Sequence, residues 1–154
     1  MITDLFTANV ILGILASGIR LATPYLYAAI GETFGQRSGV LNLGVEGQML
    51  LGAFAGFYVT FKYGNPWLGL LAAILVGALM GVVMGFITVT LHAEQGISGI
   101  GVYLFGLGMS DLLFQKTIGS VETVVGFPKI HIPWLSDVPV IGEVFFQHNI
   151  LVYL

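Results

Sequence analysis

The chain has 154 residues, of which 56% are apolar and 8% are charged, and its net charge at pH 7 is -3. Soluble domains carry about 25% charged residues, so this sequence has too little polar surface for a water-exposed globule and favours a membrane location. It has no basic run of the kind that tracks phosphates, so the sequence gives direct nucleic-acid binding no support. The lack of cysteine excludes disulfides and thiolate metal sites.

The first predicted membrane span covers residues 5 to 31 and contains Arg20 and Pro24. Proline lacks an N–H group and its ring clashes with the preceding helical turn, so we expect Pro24 to kink or break this helix. A polar junction from Glu32 to Gly39 leads to a second predicted span at about 40 to 61. The turn composition from Lys62 to Pro66 marks the end of that span.

The third predicted span, residues 67 to 91, contains no charged side chain. Within it Gly77, Gly81 and Gly85 repeat every fourth residue, which predicts a ridge for close helix packing. A short link, His92 to Gly96, precedes the fourth span at about 97 to 117. The glycine-rich start of this span fits either an unwound segment that lines a pathway or ordinary glycine-mediated packing.

Residues 119 to 149 hold three of the five prolines, four charged side chains and two of the three histidines, which predicts one long extramembrane loop. Its stretch from Lys129 to Trp134 fits a short strand or an interfacial segment. Residues 150 to 154 begin a further span. The whole pattern predicts an all-α fold, in which all 154 residues belong to one polytopic transmembrane helical bundle.

Polar residues near the second span are the main functional candidates. If residues 40 to 61 are helical, Asn42 and Glu46 share one face. A carboxylate at the centre of a membrane helix costs about 2.5 to 3.5 kcal/mol, so Glu46 should face a protein interior or a wet pathway. It either contacts a polar solute or is a structural acid paired with Arg37, Arg20 or a helix N-terminus. Nearly opposite lie Gly44, Gln48, Gly52 and Gly56, whose glycines predict a groove for a partner helix. The opposite allocation of the two faces also fits, because Gln48 is polar.

A second pair of candidates stands at the start of the fourth span, where Gln95 and Ser98 lie three residues apart and would share a helix face. With Asn42 and Glu46, they are the predicted substrate-pathway residues. Glu32, Arg37 and Arg20 are interpreted as a structural polar junction, either snorkelling to the interface or pairing with opposite charges.

No enzymatic motif stands out in the sequence. It has no HExxH, GxSxG or P-loop arrangement, and its three histidines share no ligand spacing. We therefore predict no catalytic residue, no metal and no cofactor. If transport is ATP-driven, the hydrolysis belongs to another subunit.

These residues resemble the integral membrane permeases of ABC importers related to the ribose and branched-chain amino acid systems, in particular the nucleoside and simple-sugar subgroup. The central stretch from Arg37 to Gly47 is the most specific part of the resemblance, and around Gln95 the chain departs from the common family pattern. The sequence motifs that carry the resemblance are Arg20-Leu21-Ala22-Thr23-Pro24, Gly31-Glu32, Gln36-Arg37-Ser38-Gly39-Val40-Leu41-Asn42-Leu43-Gly44-Val45-Glu46-Gly47, Leu50-Leu51-Gly52-Ala53-Phe54, Gly126-Phe127-Pro128 and Leu135-Ser136-Asp137-Val138-Pro139-Val140.

The resemblance implies a permease subunit that works by alternating access in the bacterial cytoplasmic membrane. It implies as partners a second permease subunit, ATP-binding cassette subunits and an extracytoplasmic solute-binding protein or lipoprotein. It also implies that the chain is the N-terminal part of a permease about twice as long, in which the ATPase docking segment lies beyond Leu154. The family topology places the junction near Arg37 in the cytoplasm, whereas the positive-inside count favours the opposite orientation.

Other functions stay open on composition alone. Glycine-ridged helices and one loop also fit a non-transporting membrane scaffold or receptor subunit, although buried Asn42 and Glu46 would argue against that role. The sequence does not choose among purine nucleosides, pyrimidine nucleosides and sugars, and it does not say whether the two permease positions hold identical chains.

Overall fold

The computed structural model describes residues 7–120, 122–134, 136 and 141–154. All regular secondary structure in these residues is helical, which confirms the all-α prediction, and the only pairing of β type is an isolated bridge between Lys129 and Asn149. The elements are α1 (Ala8–Arg37), α2 (Val45–Tyr63), α3 (Pro66–Gly85), a π-helical turn (Phe86–Thr90), α4 (Gln95–Thr117), α5 (Ile141–Phe145) and α6 (Ile150–Tyr153).

In the described residues three helical segments are long and apolar enough to cross a membrane: Val10–Arg37, Pro66–Thr90 and Gln95–Thr117. Helix α2, which corresponds to the second predicted span, is not among them. Its sequence includes Glu46, Gln48 and Lys62, which lower its hydropathy. Because α2 packs against both α3 and α4, protein surrounds much of this more polar helix.

The helix boundaries differ from the predicted spans at several points. Helix α1 continues through Pro24 to Arg37, six residues beyond the predicted end at 31. The start of the predicted span, residues 5 and 6, lies outside the described residues. Helix α2 begins at Val45, so residues 40 to 44 are not helical. Helix α4 is regular from Gln95, so its glycine-rich start is not unwound.

The turn between α2 and α3 shows how local sequence sets these boundaries. Gly64 adopts the left-handed conformation (φ 66°), and its N–H donates to the carbonyl of Thr60, which ends α2. The side chain of Asn65 accepts from the Trp67 N–H, and Pro66 occupies the first turn of α3, where a missing N–H does no harm. Helix α2 thus ends inside the predicted turn.

The chain divides into two compact units. One contains the described residues up to Tyr27 together with those from Phe127 onward, and the other is Ala28–Gly126. The larger unit holds α2, α3 and α4. Its small apolar core is formed by Met80, Met84 and Val102, with Leu51 packed against it.

Close glycine contacts let α2 approach both neighbours within the larger unit. A Cβ atom placed on Gly106 of α4 would lie 2.6 Å from the Cα of Gly47 and closer still to its carbonyl group. On the other side of α2, a Cβ on Gly69 of α3 would lie 2.6 Å from the carbonyl oxygen of Gly56. Backbone atoms cannot move aside like a side chain, so these crossings require glycine.

In the smaller unit, residues of the predicted loop form a hydrogen-bonded fold around α5 and α6. The Ser136 hydroxyl accepts from the Ile132 N–H and donates to the Phe146 carbonyl, at 2.9 and 2.7 Å. The Tyr27 hydroxyl of α1 donates to the Leu151 carbonyl at 2.8 Å. Residues 121, 135 and 137–140 of the predicted loop, which include most of its Leu135–Val140 motif, lie outside the described residues.

Candidate functional site

The non-helical segment between α1 and α2 is the centre of the candidate site. Helix α1 ends in a turn at Gly39, whose φ of 85° is left-handed, and the Val40 N–H returns to the Gly35 carbonyl at 3.0 Å. The chain then runs without regular structure to Gly44. We call residues Ser38 to Gly44 the junction segment. The N–H groups of Ser38, Gly39 and Val40 donate to backbone carbonyls at the end of α1, and beyond them side chains must supply the missing hydrogen bonds.

Glu32 of α1 supplies one of them. Its Oε1 accepts from the Asn42 N–H at 3.0 Å and from the Gln36 side chain at 3.2 Å. Glu32 is only partly exposed. The predicted structural role of Glu32 therefore has a definite geometry, in which its carboxylate holds the backbone of the junction segment.

Gln95, the first residue of α4, holds the other side of the same segment. Its Oε1 accepts from the Leu41 N–H at 2.7 Å, and its Nε2 donates to the Gly39 carbonyl at 3.0 Å. The two bonds clamp the segment to α4 with one amide, which leaves the Gln95 amide engaged with the protein. Its position beside the junction was not evident from sequence, because it requires residues 54 and 56 positions apart to meet.

Asn42 links the junction segment to α2. Its Oδ1 accepts from the Gly44 N–H at 3.0 Å, and its Nδ2 donates to Oε1 of Gln48 at 3.1 Å. Asn42 thus lies before α2 and not on the helical face predicted for Asn42 and Glu46. The Nε2 atom of Gln48 is buried and has no hydrogen-bond partner in the described part of the chain.

Glu94 caps α4 immediately beside this network. Its two carboxylate oxygens accept from the backbone N–H groups of Ile97 and Gly96. These bonds, first that from Ile97 and then that from Gly96, lower the pKa of the fully exposed Glu94 carboxyl from its ordinary value of 4.5. The cap fixes where α4 starts and so where the Gln95 amide is presented.

The remaining predicted polar residues lie outside the network. Glu46 is exposed in the first turn of α2, where a negative charge suits the helix dipole, and no described residue gives it a hydrogen bond or ion pair. Arg20 and Arg37 are also exposed and have no such partner in the described chain. The structure therefore brings Glu32, Asn42 and Gln95 together, and leaves the two arginines and Glu46 apart from them.

Ser98 lies one turn into α4 and faces a cleft between α3 and α4. Its hydroxyl donates to the Glu94 carbonyl at 2.6 Å. The cleft has a volume of about 420 Å³ and an almost wholly apolar lining, with the Ser98 hydroxyl as its polar side chain. It is lined by Met80, Val83, Ile87, Ser98, Gly101, Val102 and Phe105.

The predicted packing glycines fall into two groups. Gly44 lies against Gly99 and Val102 of α4. Gly52 and Gly56 lie against the backbone of α3. In contrast, Cβ atoms placed on the α3 ridge would meet no described atom within 4 Å, so this ridge does not pack within the described chain. The ridge consists of Gly77, Gly81 and Gly85.

The geometry defines a class of protein before any relative is considered. It is a multi-pass helical membrane protein in which a non-helical segment is held by half-buried amides and one carboxylate. Non-helical backbone at a membrane helix end needs such partners, and in transporters it is found next to solute pathways. In the described residues, no three histidine or acidic side chains lie close enough together to hold a metal ion.

Comparison with known proteins gives the family. Residues 14–153 match the family described as branched-chain amino acid transport system, permease component. The chain belongs to this permease family. No solved structure matches it.

Three relatives are similar over most of this chain. A Haloferax volcanii protein is 38% identical over 92% of the chain and 44% of its own length; it is named a glucose ABC transporter permease, an assignment its name gives as provisional. A guanosine ABC transporter permease of Bacillus subtilis is 35% identical, covering 82% of the chain and 42% of its own length. A nucleoside ABC transporter permease of Lactococcus lactis is 32% identical over 90% of the chain and 46% of its own length. The chain spans less than half the length of these relatives.

Sequence reasoning missed the roles of Gln36 and Gln48. Gln36 is four residues from Glu32, a spacing that would have predicted their hydrogen bond. On an ideal helix Gln48 shares a face with Gly44, Gly52 and Gly56, opposite Asn42, so the helical pattern predicts no contact between the two amides. Its contact with Asn42 depends on α2 starting at Val45, which the apolar pattern alone does not show.

Proposed function

We propose that the protein is the permease subunit of an ATP-driven importer that moves nucleosides or simple sugars across the bacterial cytoplasmic membrane by alternating access. The observation that supports this most strongly is the match of residues 14–153 to the permease family, together with relatives named for glucose, guanosine and nucleoside transport. ATP hydrolysis takes place on separate ATP-binding cassette subunits. A second permease subunit and an extracytoplasmic solute-binding protein or lipoprotein complete the assembly.

The junction segment suits this role physically. Alternating access requires a membrane protein to exchange two packings, and elements held by a few side-chain bonds change conformation more readily than a continuous helix. Here α2 and α4 are tightly packed through Gly47 and Gly106, while the segment that precedes α2 depends on Glu32 and Gln95. The rigid pair provides a frame and the segment provides a part that can move.

The test is reconstitution of the full-length protein. We would co-express it with the ATPase subunits and binding protein encoded beside its gene, purify the complex and insert it into liposomes. Radiolabelled guanosine and glucose are offered on the binding-protein side, with ATP on the ATPase side. ATP-dependent accumulation of one of them supports the proposal, and vesicles without ATP are the control.

A negative result is equally definite. A full-length protein that reaches the membrane, is correctly folded and binds no ATPase subunit would contradict the proposed function and favour a scaffold or receptor role. Stimulation of ATP hydrolysis by the loaded binding protein measures coupling independently of uptake. Both readouts use the same vesicles, so protein loss is not mistaken for lack of activity.

A further inference from the structure

The side chain of Gln48 is only half used by the protein. Its Oε1 accepts from Nδ2 of Asn42 at 3.1 Å, whereas its Nε2 is buried without an acceptor in the described part of the chain. A primary amide has two N–H donors, and a buried donor without a partner is unfavourable. Such groups are uncommon in folded proteins, and an acceptor that binds in another state is one explanation for them.

The part of the junction segment that contacts Gln48, through the side chain of Asn42, has the construction of a movable lid. Residues Val40–Leu43 lie between Gly39, with its left-handed backbone, and Gly44, which is pressed against α4. In these four residues the N–H groups of Leu41 and Asn42 are bonded to side chains, those of Gln95 and Glu32. Side-chain bonds of this kind can be exchanged without unfolding a helix.

Gln95 is suited to act as the latch of this lid. One amide grips the segment twice, through the Leu41 N–H and the Gly39 carbonyl. Its own position is fixed, because the adjacent Glu94 caps α4 and Gly99, one turn further, packs directly on the Leu43 backbone. Release of the two Gln95 bonds would detach the segment from the Gln95 amide and leave it held by Glu32 and Gln48, while the packing of α2 on α4 through Gly47 and Gly106 stays intact.

We propose that Nε2 of Gln48 donates a hydrogen bond to an oxygen of the transported solute, and that the lid Val40–Leu43, latched by Gln95, covers this donor in the present conformation. The inference rests on the proposed import function. An uncharged amide donor fits a neutral, hydroxyl-bearing solute and does not favour a cation. Gln48 is thus a solute-contacting residue, and Gln95 is a positioning residue that controls access to it.

Thiol labelling tests the lid, because the 154 residues contain no cysteine. In the full-length protein, with any other cysteine replaced, Gln48→Cys places a thiol beneath the lid. Gln95→Met keeps the side-chain size and removes both latch bonds. Each neutral hydrogen bond corresponds to a factor of about 2 to 12, so a water-soluble maleimide should label the thiol about 5- to 150-fold faster in the Gln95→Met background. Saturating guanosine or glucose, whichever is transported, should slow the labelling.

A matched thiol reports on general loosening of the fold. Met84 is 2% exposed in the core, so Met84→Cys should stay unlabelled in both backgrounds if the change is confined to the lid. Equal labelling of Gln48→Cys in the two backgrounds would overturn the latch. Faster labelling of both thiols by Gln95→Met would also overturn it, since the substitution would then unfold the bundle.

Uptake kinetics test the donor. Gln48→Glu retains the oxygen that accepts from Asn42 and removes the Nε2 donor, while Gln48→Met removes both. Loss of one neutral hydrogen bond to solute should raise the KM of uptake about 2- to 12-fold in both variants. If Gln48 only holds Asn42, Gln48→Glu should keep the wild-type KM and Gln48→Met should match Asn42→Ala, which would overturn the proposal.

The wild-type vesicles separate the two levels of inference. Wild-type protein that takes up no solute in the complete system contradicts the import function, and the solute contact falls with it. Wild-type uptake together with an unchanged KM in both Gln48 variants contradicts the solute contact alone.

Discussion

The crossing of α2 and α4 allows a quantitative prediction about Gly106. Alanine at this position would place its Cβ 2.6 Å from the Cα of Gly47, whereas ordinary contacts are at least 3.4 Å. Because the Cβ would lie closer still to the carbonyl group of Gly47, the helices must separate by about 1 Å or more, or the backbone must distort. Overpacking of this kind lowers the free energy of unfolding by about 1 to 3 kcal/mol. The higher helix propensity of alanine raises it by up to about 1 kcal/mol.

Gly108 provides the matched control on the same helix. A Cβ there meets no atom of the described residues within 4 Å, so Gly108→Ala gains the propensity without the clash. Comparison of the two variants cancels the propensity term and leaves about 1 to 3 kcal/mol, or about 5- to 150-fold in the unfolding equilibrium.

The assay measures unfolding of the full-length protein in detergent through the loss of its helical circular-dichroism signal. Uptake by reconstituted vesicles is measured in parallel. Gly106→Ala should be the less stable of the two variants and should transport more slowly. Equal stability and equal uptake would refute the argument that α2 and α4 meet at backbone contact distance.

Three further predictions concern packing and capping. Gly69→Ala should destabilise the α2–α3 contact by about 1 to 3 kcal/mol relative to Gly77→Ala. The Cβ at Gly69 meets the backbone of α2, whereas the Cβ at Gly77 meets no atom of the described residues within 4 Å. Equal unfolding curves for the two variants would contradict this prediction. Asn65→Ala should cost about 1 kcal/mol by removing the cap of α3, and Asn65→Asp should restore most of it in the same unfolding assay. Glu94 has a lowered pKa when folded, so its cap stabilises the protein above the ordinary value of 4.5 and is lost as the pH falls through the lowered value. The difference in melting temperature between wild type and Glu94→Ala should therefore shrink on acidification below that range; a difference independent of pH would rule out the charged cap.

Much of the fold was predictable from local chemistry. The charge-free stretch before Leu91 predicts a long apolar helix, and the turn from Lys62 to Pro66 ends one helix and starts the next through a left-handed glycine and an asparagine cap. These signals need only neighbouring residues. The start of α2 was less predictable, because the apolar pattern runs continuously through residues 40 to 44 and only tertiary hydrogen bonds show that they are not helical.

The family resemblance was also predictable and is confirmed by the match across residues 14–153. It rests on the sequence motif from Arg37 to Gly47, which sequence comparison identifies directly. The roles of individual polar residues within that motif could not be predicted in this way. Asn42 and Glu46 looked equivalent on an ideal helix, yet Asn42 joins the hydrogen-bond network and Glu46 lies exposed outside it.

Sequence alone indicates the membrane class, the all-α fold, the long apolar helix before Leu91 and the turn that separates α2 from α3, because these depend on composition and on contacts within a few residues. The tertiary structure is needed to show that Gln95 clamps Gly39 and Leu41, and that Gln48 has a buried donor without a partner in the described residues. Those contacts join residues far apart in the chain. Their geometry follows from how closely α2 and α4 approach, which the glycines permit but do not specify.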